Sequence, residues 1–273
     1  MLIKIFVVLA PALAALVSAL SGFSVLSFIL LTLGFFAGFC VLFLALLAVS
    51  SRLAVIEEKQ TEMSPYYRFL LLEAVEIILF FCGVRVKAEG LEKIPTDRRF
   101  LLVGNHRSNL DPIVALHALK KHKLAFVSKP ENFNIPFIGN IMRKCCFLPI
   151  DREDDRKAVY TIMEAIDLIK TDACSVGIYP EGTRNRESLN LLPFKAGSLK
   201  ISQRTGAPIV VAAADGTEKV ARRLFTTVRF TVCGVIEPSE MPRVTTQELS
   251  RQAQQMLCEC LNIEYTGQEE SGK

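Results

Sequence analysis

A short segment near residue 106 holds the residue types best suited to proton chemistry. It reads Asn105-His106-Arg107-Ser108-Asn109-Leu110-Asp111, with a histidine and an aspartate five positions apart. The chain has three histidines, so side chains that accept a proton near neutral pH are scarce. Gly104 and the Asn and Ser residues permit the tight turn that would bring the carboxylate to one imidazole nitrogen. The segment therefore predicts that His106 is a general base oriented by Asp111.

Asp111 also has a simpler explanation. Because Pro112 and an apolar stretch follow it, the aspartate fits the N-cap position of a helix with proline at its first position. This alternative accounts for Asp111 but leaves His106 unexplained. The other two histidines, His117 and His122, are expected on solvated faces.

A second segment, Glu181-Gly182-Thr183-Arg184, combines a turn with a cation. A guanidinium is a rigid fork that suits a phosphate, so Arg184 is a candidate phosphate ligand. The Gly182-Thr183 turn could present backbone N–H groups to a phosphate or to an oxyanion, and the residues do not distinguish the two. Both segments follow predicted strands. They are expected at the same edge of a sheet, where strand carboxyl ends gather.

Short apolar runs alternate with amphipathic stretches after Gly83. Strands are predicted over 84–89, 100–103, 124–127, 146–150, 174–179, 208–214 and 228–236, and helices over 112–120, 154–170, 197–205 and 245–261. This alternation predicts an α/β domain over 84–265 with a mixed, largely parallel sheet flanked by helices. The polar residues 266–273 are expected to form a flexible tail.

The first 50 residues predict a membrane-embedded helical hairpin. No charged residue lies between Lys4 and Arg52, a stretch about twice the roughly 20 residues that one spanning helix needs. Two helices over 5–20 and 25–49 would break near Ser21-Gly22. The flanking cations predict a catalytic domain on the cytoplasmic face. A re-entrant hairpin is the alternative, and a cleaved signal peptide is disfavoured.

Residues 51–83 are predicted to form a connector and a helix. The helix carries many aromatic and aliphatic residues together with Arg68, Glu73 and Glu76, so it is too charged for a spanning segment. It fits a helix lying on the bilayer surface, or equally a core helix of the following domain.

Charge and cysteine content narrow the class of protein. Residues 84–157 hold 15 Lys and Arg against 9 Asp and Glu, which suits anionic headgroups or an acidic substrate and is too weak to indicate nucleic acid. The eight cysteines show no metal-binding spacing, which favours buried free thiols in a reducing compartment.

Four ordered blocks resemble the glycerolipid acyltransferase family, which includes membrane-bound 1-acylglycerol-3-phosphate acyltransferases. The run 105–111 resembles its N-H-x4-D block, and 126–152 resembles its second block. Residues 179–184 with 194–198 resemble the third, and 207–211 the fourth. The resemblance covers about residues 84–215. Pro130 and Asn132 depart from the second block, and the fourth lacks a proline near Val211.

The resemblance implies roles for these residues. His106 would be the general base and Asp111 its orienting acid. Substrate binding would involve the residues Asn105, Lys129, Arg152, Glu181, Gly182, Thr183 and Arg184. Of these, the three cations are phosphate candidates. The nucleophile would be a substrate hydroxyl, and no metal or prosthetic group is implied.

The implied reaction moves a fatty acyl group from a thioester to the sn-2 hydroxyl of lysophosphatidic acid, giving phosphatidic acid. The partners would be a lysophospholipid, the bilayer, and a thioester donor that is either acyl-CoA or an acyl carrier protein. Acylation of glycerol-3-phosphate or of another lysophospholipid is the nearest alternative. A lipid-binding protein without catalysis and a phospholipid hydrolase are two more distant ones.

Overall fold

The computed structural model describes residues 1–22, 24–57, 59–152, 154–185, 190–223, 225–237 and 244–265. The tail expected at 266–273 lies outside the described residues.

Two long apolar helices open the chain, as predicted. Helix α1 is Leu2–Ser21 and helix α2 is Val25–Leu53, so both extend past their predicted ends. The most apolar 18-residue segments of α1 and α2 have mean hydropathies of 2.3 and 2.6. Most of the large apolar side chains of the two helices face outward. At about 1.5 Å per residue, α1 is about 30 Å long, which matches a bilayer core. Both helices are therefore long and apolar enough to cross a membrane.

Helix α3, Pro65–Phe81, has one face on the following domain and the other exposed. Leu70 and Val75 are buried, and the helix packs on α1 and on elements of the α/β domain. Phe69 and Phe81 are exposed on its other side. The buried face of α3 fits the core-helix alternative, while a position on the bilayer surface stays a prediction.

Within the described ranges, seven strands form one sheet. They are β1 Val84–Glu89, β2 Leu101–Gly104, β3 Leu124–Ser128, β4 Leu148–Pro149, β5 Ser175–Ile178, β6 Ile209–Asp215 and β7 Thr226–Ile236. The strand order is β1-β7-β6-β2-β5-β3-β4, and only the β6–β7 pair is antiparallel. The predicted mixed, largely parallel sheet is confirmed. Because β2 and β5 are fully buried, they read as continuous apolar runs rather than alternating ones.

One strand is shorter than predicted. Residues 146–150 were expected to pair, but β4 contains only Leu148–Pro149. Cys146 has a left-handed φ of 61° in the turn before it, and Pro149 has no N–H to donate to a ladder. Within the five-residue apolar run, Cys146 and Phe147 are buried and Pro149 is exposed.

The other helices are α4 Asp111–Ala118, α5 Gly139–Lys144, α6 Asp155–Lys170, α7 Lys200–Thr205 and α8 Thr246–Leu261. The predicted 197–205 helix begins as a 3-10 turn, Ala196–Leu199, before continuing as α7. Asp154 caps α6 by accepting hydrogen bonds from the N–H groups of Arg156 and Lys157. Helices α4 and α8 both pack against β6 and β7.

Two histidines lie in contacts rather than on solvated faces, so that prediction was wrong. Nδ1 of His117 lies 2.9 Å from a carboxylate oxygen of Glu76, across the α3–α4 contact. The ring of His122 packs edge-on against Phe100. Burial lowers the pKa of both histidines below its ordinary value. Neither lies at the carboxyl edge of the sheet.

Candidate active site

The loop 105–111 leaves the carboxyl end of β2, near the middle of the sheet. A Cβ on Gly104 would lie 2.7 Å from the carbonyl oxygen of Ala212, so only glycine allows this approach of β2 to β6. Asn105 is 1% exposed, and its amide both donates to the carbonyl of Ala214 and accepts from its N–H. These bonds favour a positioning role for Asn105 rather than the predicted substrate contact.

His106 and Asp111 meet within this loop. Nδ1 of His106 lies 2.9 Å from Oδ2 of Asp111, and the aspartate side chain is fully buried. A carboxylate only accepts, so Nδ1 carries the proton and Nε2 is the ring nitrogen left to accept one. The side chain of His106 is 13% exposed, which leaves it within reach of a substrate.

Asp111 is not a helix N-cap, contrary to the simpler of its two explanations. It is the first residue of α4, and Leu110 is the capping residue without a side-chain bond. The carboxylate instead turns back onto the loop, where Oδ2 accepts from the N–H groups of Arg107 and Ser108, each at 2.7 Å. The aspartate therefore holds the loop that carries the histidine.

The imidazole of His106 is held between Asp111 and an aromatic stack. Tyr179, at the end of β5, stacks on His106 with ring centroids 4.4 Å apart and 14° between planes. Phe126 of β3 stacks behind Tyr179 at 5.6 Å. Burial raises the pKa of Tyr179 well above its ordinary value, so the phenol is neutral. These contacts fix the plane of the imidazole.

Glu181 joins the two predicted motifs. The N–H of His106 donates to its Oε1 at 2.6 Å, and the N–H of Leu192 donates to its Oε2 at 3.0 Å. Burial raises the pKa of Glu181 to about 7, against the lowering effect of these two bonds. Because both carboxylate oxygens are engaged by backbone groups, the geometry favours a positioning role over the predicted acceptor contact.

The Gly182-Thr183 turn differs from its prediction in one respect. Gly182 adopts a left-handed φ of 72°, and its N–H donates to the carbonyl of Tyr179. That N–H is therefore used within the turn and is not directed at a phosphate or an oxyanion. The carbonyl of Gly182 accepts a hydrogen bond from Arg152, and the neighbouring Thr183 is exposed.

Arg152 donates to the Gly182 carbonyl, and Arg184 follows this turn two residues later in the chain. Burial lowers the pKa of Arg152, and the nearby Arg184 lowers it further. Nη1 of Arg184 is held by Oδ1 of Asn109 at 2.7 Å, which links it to the histidine loop. Lys129, the third predicted cation, is exposed after β3. Like charges at close range are unfavourable alone, so the arginine pair suits an anion.

A cavity of about 660 Å³ extends from this edge of the sheet. Apolar side chains of α6, among them Ile162 and Ile166, form one wall, and Tyr179 and Gly182 lie at the active-site end. Arg152 lines it together with Lys195, Lys200 and Arg204. Such a cavity suits a molecule that is both apolar and anionic. Within the described ranges, no group of three or more His, Cys, Asp or Glu side chains could hold a metal ion.

Sequence reasoning missed Tyr179 and Thr217. Oγ1 of Thr217 donates to Oδ1 of Asp111 at 2.5 Å, and the threonine is 2% exposed. Tyr179 is the last residue of the strand predicted over 174–179, at the same edge as His106, so a signal for it existed. Thr217 follows β6 at that edge as well, but nothing in its type or spacing distinguishes it from an ordinary turn residue.

The geometry defines an α/β protein with a histidine–aspartate pair at the carboxyl edge of its sheet, beside paired arginines. A family model described as Acyltransferase matches residues 85–214. The chain is 32% identical over 150 residues to a 1-acyl-sn-glycerol-3-phosphate acyltransferase of Bacillus subtilis, spanning 55% of this chain and 71% of that protein. The chain belongs to the acyltransferase family.

Two further relatives bear on extent and fold. The chain is 38% identical over 133 residues to the chloroplastic 1-acyl-sn-glycerol-3-phosphate acyltransferase BAT2 of Brassica napus, covering 48% of this chain and 38% of that protein. It therefore spans less than two thirds of the length of the first curated relatives it matches. The crystal structure of the 1-acyl-sn-glycerophosphate (LPA) acyltransferase PlsC from Thermotoga maritima has the same fold. The TM-score is 0.63 at 22% identity, covering 84% of this chain and 93% of that one.

Proposed function

We propose that this protein transfers a fatty acyl group from a thioester donor to the sn-2 hydroxyl of lysophosphatidic acid, giving phosphatidic acid. The observation that carries the proposal is the 2.9 Å contact between Nδ1 of His106 and Oδ2 of Asp111. It leaves Nε2 as the proton acceptor at the carboxyl edge of the sheet. A base held in this tautomer can take the proton of a substrate hydroxyl.

The reaction balances with these two side chains and the two substrates. The acceptor hydroxyl oxygen attacks the thioester carbonyl carbon while its proton passes to Nε2 of His106. The resulting tetrahedral intermediate collapses, the carbon–sulfur bond breaks, and the proton passes from His106 to the departing sulfur. Asp111 stays ionised throughout and stabilises the imidazolium. No covalent acyl-enzyme forms, because the nucleophile is the substrate itself.

The paired arginines supply the phosphate site. Arg152 and Arg184 approach each other beside the Gly182 turn, and Asn109 ties Arg184 to the histidine loop. A phosphate between the guanidinium groups would relieve their repulsion and place the glycerol near His106. Lys129 is exposed enough to add a third charge. The similarity to 1-acyl-sn-glycerol-3-phosphate acyltransferases supports the same acceptor.

The cavity beside α6 suits the hydrocarbon part of a substrate. Its apolar wall accommodates an acyl chain, and the basic residues opposite favour an amphiphile with an anionic end. Both proposed substrates meet this description. The cavity is therefore assigned to an acyl chain without choosing between donor and acceptor.

The membrane part of the proposal rests on the apolar helices. We assign residues 1–50 to a membrane-embedded hairpin, 51–83 to a connector with an interfacial helix, and 84–265 to the acyltransferase domain on the cytoplasmic face. The hairpin would hold the domain where lysolipid and product reside. The donor is acyl-CoA or an acyl carrier protein, both of which are anionic enough for the basic face of the domain.

The test is an assay of the full-length chain in detergent micelles. Each of two donors, palmitoyl-CoA and palmitoyl-acyl carrier protein, is combined with lysophosphatidic acid, glycerol-3-phosphate or lysophosphatidylcholine. Lysophosphatidic acid should give the highest kcat/KM. His106→Ala should lower kcat by about 10²–10⁴-fold. The matched control is His117→Gln, which keeps a polar side chain next to Glu76, away from the site, and should retain activity.

Each alternative has its own result in this assay. A higher kcat/KM for another acceptor would replace lysophosphatidic acid with that acceptor. Absence of transfer to every acceptor would favour a lipid-binding protein without catalysis. Release of free fatty acid with no acceptor present would indicate a hydrolase. Full turnover by His106→Ala would remove the general base from the mechanism.

A further inference from the structure

Three side-chain contacts join the histidine loop to the segment 214–218, which follows β6. Asn105 is bonded in both directions to the backbone of Ala214. Thr217 donates to Asp111, and a carboxylate oxygen of Glu218 lies 3.6 Å from Nη1 of Arg107. The loop 105–111 is therefore folded against this segment, not only against its own backbone.

Thr217 has a distinct place among the groups that surround Asp111. Three donors converge on Oδ2: Nδ1 of His106 and the N–H groups of Arg107 and Ser108. Thr217 donates at 2.5 Å to the other oxygen, Oδ1. It lies three residues beyond the family match, which ends at residue 214. It is also absent from the four sequence blocks that indicate the family.

The bond to Oδ1 restricts the carboxylate in a way the other three cannot. With both oxygens engaged, rotation about the Cβ–Cγ bond would break bonds at each end. Since the side chain of Asp111 is fully buried, water would not readily replace a lost hydroxyl. The Thr217 hydroxyl also stabilises the ionised form of the carboxylate, because it donates to the charged oxygen.

We propose that Thr217 is a positioning residue of the active site, which holds Asp111 ionised and in the orientation that directs Nε2 of His106 toward the acceptor hydroxyl. This inference rests on the proposed function for its kinetic test. Its second test, the titration of the His106 ring, does not.

Removing the hydroxyl should move a pH dependence in a known direction. Without Thr217 the carboxylate binds a proton more readily, and its less satisfied charge holds the imidazolium more strongly. Both effects raise the pH below which the protein loses activity. The other ionisable side chains around the pair are Glu181, Tyr179, Arg107 and Glu218. All of them are kept in the variants below.

The experiment compares three variants of the full-length chain in detergent. Thr217→Val removes the hydroxyl at nearly constant shape, and Thr217→Ser restores it. The matched control is Thr226→Val, because Thr226 is also buried but its Oγ1 has no partner among the described residues. For each variant, kcat/KM with lysophosphatidic acid is measured against pH, and the His106 ring is titrated by ¹⁵N NMR.

Thr217→Val should lower kcat roughly 10- to 100-fold and move both the acidic limb of the pH profile and the His106 titration to higher pH. Thr217→Ser should return both toward wild type, and Thr226→Val should leave both unchanged. An unshifted His106 titration in Thr217→Val would overturn the inference. Absence of acyl transfer by the wild-type chain would instead count against the proposed function, while the titration would still test Thr217.

Discussion

The backbone N–H of His106 donates a 2.6 Å hydrogen bond to Oε1 of Glu181, so the two motifs that carry the family resemblance are joined directly. The residues are 75 positions apart and meet because β2 and β5 are neighbours in the sheet. Glu181 thereby sets the backbone from which the imidazole extends. Both of its carboxylate oxygens accept hydrogen bonds from backbone N–H groups, which favours a positioning role for Glu181.

Glu181 gives the protein a pH-dependent stability. Its pKa is raised by burial to about 7 in the fold and returns to its ordinary value near 4.5 on unfolding. The folded chain then binds the extra proton between these values, so the contribution of Glu181 falls as pH rises from about 4.5 to about 7. Glu181→Gln removes this titration. The free energy of unfolding of Glu181→Gln should lie below that of wild type by an amount that decreases between about pH 4.5 and about pH 7. The decrease is on the order of 3 kcal/mol at most.

Thermal unfolding of both proteins in detergent between pH 5 and pH 8 measures this effect. The Tm difference should narrow toward higher pH. The control is Glu259→Gln, on the surface of α8, which should show the same Tm difference at every pH. A Tm difference between wild type and Glu181→Gln that does not change with pH would contradict a raised pKa at Glu181.

Arg184 should contribute through its fork geometry and not only through its charge. Arg184→Lys keeps the positive charge but loses bidentate contact with a phosphate and the bond to Asn109. The KM for lysophosphatidic acid should rise about tenfold, with a smaller effect on kcat. Initial-rate kinetics with 1-monoacylglycerol, which lacks the phosphate, should show little difference between variant and wild type.

The matched control for this change is Arg251→Lys. Arg251 is an exposed arginine of α8 that pairs with Glu248 and lies outside the active site. The Arg251→Lys substitution should leave the KM for lysophosphatidic acid unaltered. An equal rise in KM for the phosphate-free acceptor would show that Arg184 acts on the loop and not on the phosphate.

Tyr179 should act through its ring and not its hydroxyl. Its 4.4 Å stack fixes the plane of the His106 imidazole. Tyr179→Phe keeps the ring and should retain near-wild-type kcat, whereas Tyr179→Leu should lower kcat by about 3- to 10-fold. Steady-state kinetics measures both, with thermal unfolding to confirm that each variant is folded. Equal losses in the two variants would assign the effect to the hydroxyl.

Ile162 should influence the length of the acyl chain that the protein accepts. It lines the cavity from α6, and tryptophan at this position would fill space that distal methylenes occupy. Each methylene that loses burial costs about 0.8 kcal/mol, so Ile162→Trp should favour C8 over C16 chains by about tenfold or more. The assay varies chain length in donor and acceptor separately, and the substrate that responds is the one whose chain enters the cavity.

The control for Ile162→Trp lies on the same helix. Tyr160 is 70% exposed and does not line the cavity, so Tyr160→Trp should leave chain preference unaltered. Unchanged preference for both substrates in Ile162→Trp would mean that no acyl chain occupies this cavity.

Local patterns predicted most elements, because each depends on residues close in the chain. The buried runs that became β2 and β5, and the amphipathic stretch that became α6, were identified to within one or two residues. The short β4 was overpredicted, since an apolar run signals burial but not pairing. The alternative of Asp111 as a helix cap was wrong for a related reason. The following Pro112 pointed to a helix N-terminus, but the Asp111 carboxylate accepts hydrogen bonds from the preceding loop instead.

Long-range contacts limited what could be predicted at the site. His106 and Asp111 are five residues apart, so their meeting could be expected from one segment. Thr217 reaches Asp111 across 106 residues, and its contact depends on β6 lying beside β2. A sequence without aligned relatives offers no signal for such a pair. The same holds for Glu181, for which the family resemblance implied a substrate contact while its burial favours a structural role.

The contact between Thr217 and Asp111 has a consequence for the order of events during biosynthesis. Ribosomes deliver the chain from its amino terminus, and domains fold as their residues emerge. The apolar helices α1 and α2 leave the ribosome before the α/β domain, and Thr217 emerges 106 residues after the aspartate it holds. If these helices insert into a bilayer as proposed, the nascent chain can reach its lipid environment before its proton-accepting site is complete.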